Sequence, residues 1–350
     1  MGLVRLQPGM NGTRAPVCSV CIANFNGEDL LRDCIDSVLA QQRFDPGIEI
    51  IVHDDASTDG SLALLREHYP RVEVIASREN AGFCVANNRM AERARGEWLL
   101  LLNNDAALFP DALATLHEWS ARQSPQGIIS LPQYDWHTGE LVDRGCRLDP
   151  FYNPVPNLDP KRSEVAMAIG ACLWIPRRLW LELGGFPPWF ESIAEDMYLC
   201  CCARLRGYPV QIPDTSGYRH RQGGSFGGNR VAGGRLATTF RRRRLSERNK
   251  TFVMVACTPG WLLAPLLPIH LALLAIEGAL LSLLRRDARV WRGIYAGILS
   301  ALFKRRRELG EARRRNLAAR KSTAGGYLRQ FTPMPRKLAM LLRHGLPGIR

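Results

Sequence analysis

Apolar positions recur with two different periods along the first third of the chain, and their alternation predicts the architecture. Residues 17–23 form a short, continuously apolar run of the kind that makes a buried strand. Leu30, Leu31, Cys34, Ile35, Val38 and Leu39 then fall at helical spacing within residues 28–42. A second apolar run, residues 48–52, ends in the polar stretch Asp54-Asp55-Ala56-Ser57-Thr58-Asp59-Gly60. Leu62, Leu65 and Tyr69 mark a helix, residues 72–76 a strand, residues 83–94 another helix, and residues 98–102 a wholly apolar strand. This succession predicts an α/β fold, a mostly parallel sheet with helices on both faces. Ligands bind such sheets beyond the carboxyl ends of the strands. The polar clusters stand there: residues 24–27, Asp54 with Asp55, and Asn103-Asn104-Asp105. Three clusters are thus expected to meet on one edge of the sheet.

Further along, the pattern loosens. Residues 134–162 are rich in Pro, Asp and Asn and read as an ordered loop insertion. Apolar structure resumes at 165–175, and helices are predicted near 177–183 and over 195–205. The glycine-dense stretch within residues 217–234 is predicted to be a lid.

Charge separates the end of the chain from the rest. Residues 241–350 hold 24 Lys/Arg against five Asp/Glu, so their excess of +19 exceeds the whole chain's +14 and the preceding part is mildly acidic. Between the basic clusters, residues 251–284 are dominated by Leu, Ala, Ile and Val, enough to reach across a bilayer core of about 30 Å. Pro259, Pro265, Pro268, His270 and Glu277 interrupt that run, and Arg residues flank both ends, which opposes a single crossing. A re-entrant or in-plane helical hairpin removes the conflict. Trp291, Ile294, Ile298, Leu302 and Phe303 share one helical face, as an interfacial segment requires. A soluble helical domain is the other reading. Apolar sequence between the basic clusters fits lipid, not nucleic acid. The polar first residues lack the form of a signal peptide, and the ten cysteines lack the spacing of a disulfide framework or a metal cluster, so a reducing cytoplasm is expected.

Five segments carry a resemblance to a known family. SVCIANFNGEDLLRDCIDSVLAQ is similar to the opening strand and helix of the non-processive family 2 glycosyltransferases of GT-A fold, and IIVHDDASTDGS to their nucleotide-binding segment. NAGFCVANNRMAERARGEWLLLLNNDA resembles the stretch ending in their metal motif. GACLWIPRRLWLELGGFPPWFESIAEDMYLCCCARLRGYPV resembles the acceptor half, and RHRQGGS the late histidine. The match covers about residues 16–226, and the basic apolar extension resembles that of rhamnosyltransferase-like bacterial members acting on lipid-linked glycans. The resemblance implies a disordered segment 1–14, a GT-A domain over 15–240 (15–131 for the nucleotide sugar, 132–240 for the acceptor) and a membrane-associating helical tail over 241–350.

The same resemblance implies roles. Departure of the sugar leaves charge on a diphosphate, which Mg²⁺ or Mn²⁺ stabilises through oxygen ligands. Asp105, ending a DxD-type motif that here reads Asn103-Asn104-Asp105, and His220 would hold the metal. Asp54 and adjacent Asp55, with Ala23, Asn24 and Phe25, would bind the nucleotide; Asn80, Gly82, Asn88, Asn103 and Asn104 would lie near the donor. Asp196 would be the general base, with Glu195 and Trp189 on the acceptor. Each has an ordinary alternative: helix capping for Asp105, Asn80 and Gly82, turn formation for Asp54, helix-dipole complementation for the two acids, a solvated loop histidine for His220, core packing for Trp189. Taken together they predict an inverting, metal-dependent transferase of a nucleotide-diphosphate sugar. Its acceptor would be a glycan hydroxyl, polyprenyl-linked, at the cytoplasmic face of the inner membrane, in cell-envelope polysaccharide synthesis. A nucleotidyltransferase needs a basic, glycine-rich loop after the first strand, where this chain has ANFNGEDLL. A catalytically inactive membrane scaffold is the remaining alternative.

Overall fold

The computed structural model describes residues 4–5, 15–44, 47–221, 230–232, 235–344 and 348–349. Its centre is an eight-stranded sheet. Strands β1 (Cys18–Asn24), β2 (Ile48–Asp54), β3 (Glu73–Ala76) and β4 (Trp98–Asn103) run parallel in the order β3-β2-β1-β4. Two strands that the apolar pattern does not announce are β5 (Ala106–Leu108) and β6 (Ile128–Ile129). Residues 134–162, read as a loop insertion, contribute short strands: β7 (Gln133–Asp135), β8 (Leu141–Asp143), β9 (Cys146–Leu148) and β10 (Pro154–Pro156). β11 (Cys172–Pro176) joins the main sheet antiparallel to β4, and β12 (Val210–Gln211) closes that edge beside β6. β13 (Tyr218–His220) sits between β5 and β7 in a second, four-stranded sheet. At the far edge Val4–Arg5 pair with Ile75 and Ala76; the other residues of 1–14 lie outside the described residues, as do 222–229 and 233–234 of the expected lid.

Alternation along the strands divides the apolar side chains between two cores. Val20, Ile22 and Val52 face α1 (Glu28–Leu39), α2 (Ser61–His68) and, further along the sheet, α4 (Ala112–Arg122). Cys21, Ile51, Leu99 and Leu101 face α3 (Phe83–Arg93), α5 (Arg177–Leu183) and α6 (Glu195–Leu205). Cys18 and Cys21 therefore lie in different cores, and all ten cysteines are buried and free.

The boundary suggested by charge at residue 240 falls where α7 (Phe240–Cys257) begins. Its C-terminal half, Phe252, Val253, Met254, Ala256 and Cys257, belongs to the same core as α6. The apolar stretch starting at residue 251 thus has two fates. Up to Cys257 it is interior; beyond Pro259 it becomes α8 (Leu263–Arg285), whose Ile269, Leu283 and Leu284 are exposed. Residues 260–285 are the one helical stretch among the described residues long and apolar enough to cross a membrane, with a mean hydropathy of 2.0. α8 packs against the helical turn Trp291–Tyr295 that leads into α9 (Ala296–Lys304), and Leu274, Leu281, Ile294 and Ile298 share one small core there. α10 (Arg306–Ala318) returns to α7, sending Leu309 and Ala312 into the main core. α11 (Ala324–Leu328) puts Tyr327 there too, and α12 (Arg336–His344) lies beside α8.

Candidate active site

β1 delivers Asn24 to the carboxyl edge, and the neighbouring strand ends build a polar lattice around it. Asn24 Nδ2 donates to Asp54 Oδ2 at 3.0 Å, while its Oδ1 accepts from Asn104 Nδ2 at 2.8 Å. A side chain at Gly27 would collide with that pair, since a Cβ there would stand 2.3 Å from Asn104 Nδ2. Asp54 also accepts from the Ser57 amide at 3.0 Å, and it is fully buried. Expected to meet the nucleotide, Asp54 instead fixes the rim and does not line the cavity. Asp55 does line it, accepting from the amides of Ala81 and Gly82 at 2.8 and 2.9 Å. Gly82 adopts φ 87°, a left-handed conformation that a side chain strains, and from there α3 departs.

The strand ends place Asp105 against His220: Nε2 lies 3.1 Å from Asp105 Oδ1. The other ring nitrogen faces Gln133 Oε1 at 3.1 Å. Gln133 is oriented from behind, because its Oε1 accepts from the Tyr218 hydroxyl at 2.8 Å and its Nε2 points to Asp143. Only acceptance from Nδ1–H suits that oxygen, so neutral His220 turns the lone pair of Nε2 toward a carboxylate. Two electron-rich atoms facing each other need a proton or a cation between them. That donor set fits a hard divalent cation that completes its shell with substrate oxygens and water. Among the described residues no group of three His, Cys, Asp or Glu side chains could hold an ion without such help. Gln133 carries no sequence signal; only the parallel β13–β7 pairing brings it beneath His220.

Across the cavity, α6 begins with Glu195 and Asp196. Asp196 Oδ2 accepts from the Gly170 amide at 2.9 Å and Oδ1 from the Met197 amide at 2.7 Å. The preceding turn is strained, because Glu191, Ile193 and Ala194 all have positive φ without being glycine. α7 holds it. Asn249, fully buried, donates through Nδ2 to the carbonyls of Phe190, Ser192 and Ile193 at 2.9, 2.9 and 2.7 Å. Arg248 adds bonds to the Phe190 carbonyl (3.0 Å) and Glu191 (2.7 Å). Burial pushes the carboxyls of both Glu195 and Asp196 above the ordinary range, and for Glu195 the neighbouring Asp196 adds to the effect. Arg242, from the first turn of α7, opposes that rise at both acids. Glu195 Oε2 is buried with no hydrogen-bond partner among the described residues.

One cavity of about 1340 Å³ joins these rims. Ala23, Asn24, Phe25, Asp55, Asn80, Gly82, Asn103, Asn104, Glu195, Asp196 and His220 line it. Asn88 and Trp189 do not. Asn88 brackets the backbone of Phe186, donating at 2.8 Å and accepting at 3.0 Å. Trp189 packs on Phe190 and Phe252, the core-packing alternative. Asp105 lies just behind His220.

Comparison with known proteins shows what the chain is similar to. Residues 19–180 match the family described as Glycosyl transferase family 2. The poly(ribitol-phosphate) beta-glucosyltransferase of Bacillus spizizenii is 31% identical over 198 residues, covering 55% of this chain and 30% of that protein. The chain spans less than half the length of the first curated relatives it matches. The mannosyltransferase PcManGT of Pyrobaculum calidifontis, solved with GDP-Man and Mn²⁺, shares the fold with a TM-score of 0.50 at 20% identity, covering 85% of this chain and 88% of that one. TarS residues 1–349 of S. aureus, solved with UDP, gives a TM-score of 0.50 at 15% identity over 89% of this chain and 91% of that one. A strand-edge polar lattice, an Asp–His pair and an acid at a helix start thus occupy a sheet of GT-A fold, within a chain whose residues 19–180 match glycosyltransferase family 2.

Proposed function

We propose that the protein transfers a sugar, with inversion, from a nucleotide-diphosphate sugar to a hydroxyl of a lipid-linked glycan. The work would take place at the cytoplasmic face of the bacterial membrane, during synthesis of an envelope polysaccharide. The observation that carries this reading is the sharing of one cavity by the donor rim and Asp196. The lattice of Asn24, Asp54 and Asn104 holds the strand ends rigid where the base and ribose would lie, with Asp55 and the exposed ring of Phe25 beside them. Mg²⁺ or Mn²⁺ on Asp105 and His220, with Asn103 nearby, would supply counter-charge to the departing diphosphate. Asp196 takes the proton of the attacking hydroxyl as the new glycosidic bond forms and the bond to phosphate breaks on the opposite face. Its raised pKa makes it a stronger base than an ordinary aspartate, and it needs a higher pH than an ordinary aspartate to be ionised. A relative named for glucosylating poly(ribitol-phosphate) supports a glycopolymer acceptor, and the exposed apolar face of α8 supports a membrane location.

The test is a screen of purified protein against UDP-, GDP- and dTDP-sugars, reading nucleotide release with Mn²⁺ and with EDTA. One donor should be hydrolysed slowly, with the rate lost on chelation. Release that is equal for every nucleotide sugar and indifferent to chelation would contradict the assignment.

A further inference from the structure

The cavity does not end at Asp196. It continues past the start of α7 into a trough between α8 and α12, walled by Leu273, Ile276, Leu280 and Leu284 on one side and Leu338 and Leu341 on the other. These leucines and isoleucine are exposed, so the trough is open along roughly 20 Å of helix. The helices are pinned together at its polar end: Lys337 pairs with Glu277 at 2.6 Å and Glu247 at 2.9 Å. Arg243 and Lys250 complete that network, so three cations share two carboxylates. Two further guanidiniums line the cavity, those of Arg242 and Arg336, half-buried and without an ion pair or side-chain hydrogen bond among the described residues. Arg242 lies within electrostatic reach of Asp196. Arg242 has the nearby charges of Glu195 and Asp196 and Arg336 that of Asp149, but neither guanidinium is hydrogen-bonded to them, so both keep donors for a further anion, and a hydrocarbon is missing opposite the leucines.

We infer that this trough binds the prenyl chain of a polyprenyl diphosphate-linked acceptor, with Arg242 and Arg336 holding its diphosphate. The inference rests on the proposed transfer to a lipid-linked glycan and assigns the lipid its place. Charge complementarity and continuity with the Asp196 cavity select the occupant. A bilayer acyl surface would satisfy the leucines but leave the half-buried guanidinium donors of Arg242 and Arg336 without an acceptor, whereas a soluble glycan would leave the leucines in water. A diphosphate anchored at the mouth sets a short reach from lipid to catalytic acid, so the sugar that presents its hydroxyl to Asp196 is one close to the lipid.

The test uses the full chain, titrated without donor against geranylgeranyl diphosphate, geranylgeraniol and inorganic diphosphate, with binding read by calorimetry. Geranylgeranyl diphosphate should bind at least about tenfold more tightly than either fragment. Arg336→Gln and Leu280→Glu should each weaken it by about tenfold. Leu280 is exposed, so its substitution leaves the core intact; an unchanged circular dichroism melt checks this, and Ile276→Gln serves as a second trough variant. Alcohol binding as tight as the diphosphate, or an affinity indifferent to the Arg336 and trough variants, would overturn the inference. Because no nucleotide sugar is present, loss of the transfer reading in the donor screen would leave this result standing, and the reverse also holds.

Discussion

The two rims of the cavity are built on opposite principles. The donor rim is local: Asn24, Asp54, Asp55, Asn103 and Asn104 project from the ends of parallel strands, and short hydrogen bonds between them hold each in place. The acceptor rim is borrowed. Asp196 starts its own helix, but the turn that aims it contains three non-glycine residues with positive φ, and the side chains restraining that turn come from α7, more than 50 residues later. A rim made by strand ends tolerates changes elsewhere in the chain, whereas a strained turn persists only while its distant support is intact. On the proposed function, the acceptor side would depend on the C-terminal helices as directly as on the residues that match family 2.

That contrast can be broken at several points. The largest effect is expected at the base: Asp196→Asn should lower kcat by about 10²–10⁴ while nucleotide-sugar affinity by calorimetry stays within about twofold. Comparable loss of donor binding would mean that the rims are not separate. Next comes the borrowed support. Asn249→Ala strands three carbonyls and should cost about 1–3 kcal/mol, seen as a thermal midpoint several degrees lower, with kcat falling more than donor affinity. On the donor side, Gln133→Leu frees the His220 ring and should raise the Mn²⁺ concentration for half-maximal activity by about 10–100-fold, with activity recovered at saturating metal.

A smaller effect is expected in the pH profile. Transfer by the proposed route needs ionised Asp196, so activity should rise with pH through a limb lying above the ordinary carboxylate range, because burial raises that carboxyl. The sign for stability runs the other way. Glu195 binds its proton more tightly folded than unfolded, so the fold loses stability as pH rises between its unfolded and folded pKa values. Glu195→Gln should therefore melt higher than wild type near pH 8. The smallest effect concerns the exposed surface. Trp261→Ser combined with Leu283→Ser should reduce salt-resistant co-sedimentation with anionic vesicles a few-fold without moving the thermal midpoint. Deleting residues 241–350 would not test this, because it removes Phe252, Val253 and Met254 from the core.

Much of the donor rim could be read in the sequence because its elements are periodic and its chemistry sits at strand ends. The first four strands and the helix beginning at Glu195 come out of apolar spacing alone to within a residue or two. What escaped was non-local. β6, at two residues, is too short for any period. Gln133 and Asn249 act through contacts made only when distant segments meet. Asp54 and Asp55 illustrate a finer limit: adjacent residues on a strand end point to different sides, and only the lattice around Asn24 decides that Asp54 turns inward. In sequence the tail reads as one apolar unit because hydropathy cannot separate a core helix from a lipid-facing one; Pro259 marks the division, but composition on either side is alike.

The central claim is a single displacement across one cavity, donor and metal on one rim and Asp196 on the other. Nuclear magnetic resonance of the product anomeric carbon, made with the donor found in the screen, tests it most directly. An inverted configuration relative to the donor is predicted. A retained configuration would require the sugar to be attacked from the leaving-group side or through a covalent intermediate, and would contradict the role given to Asp196.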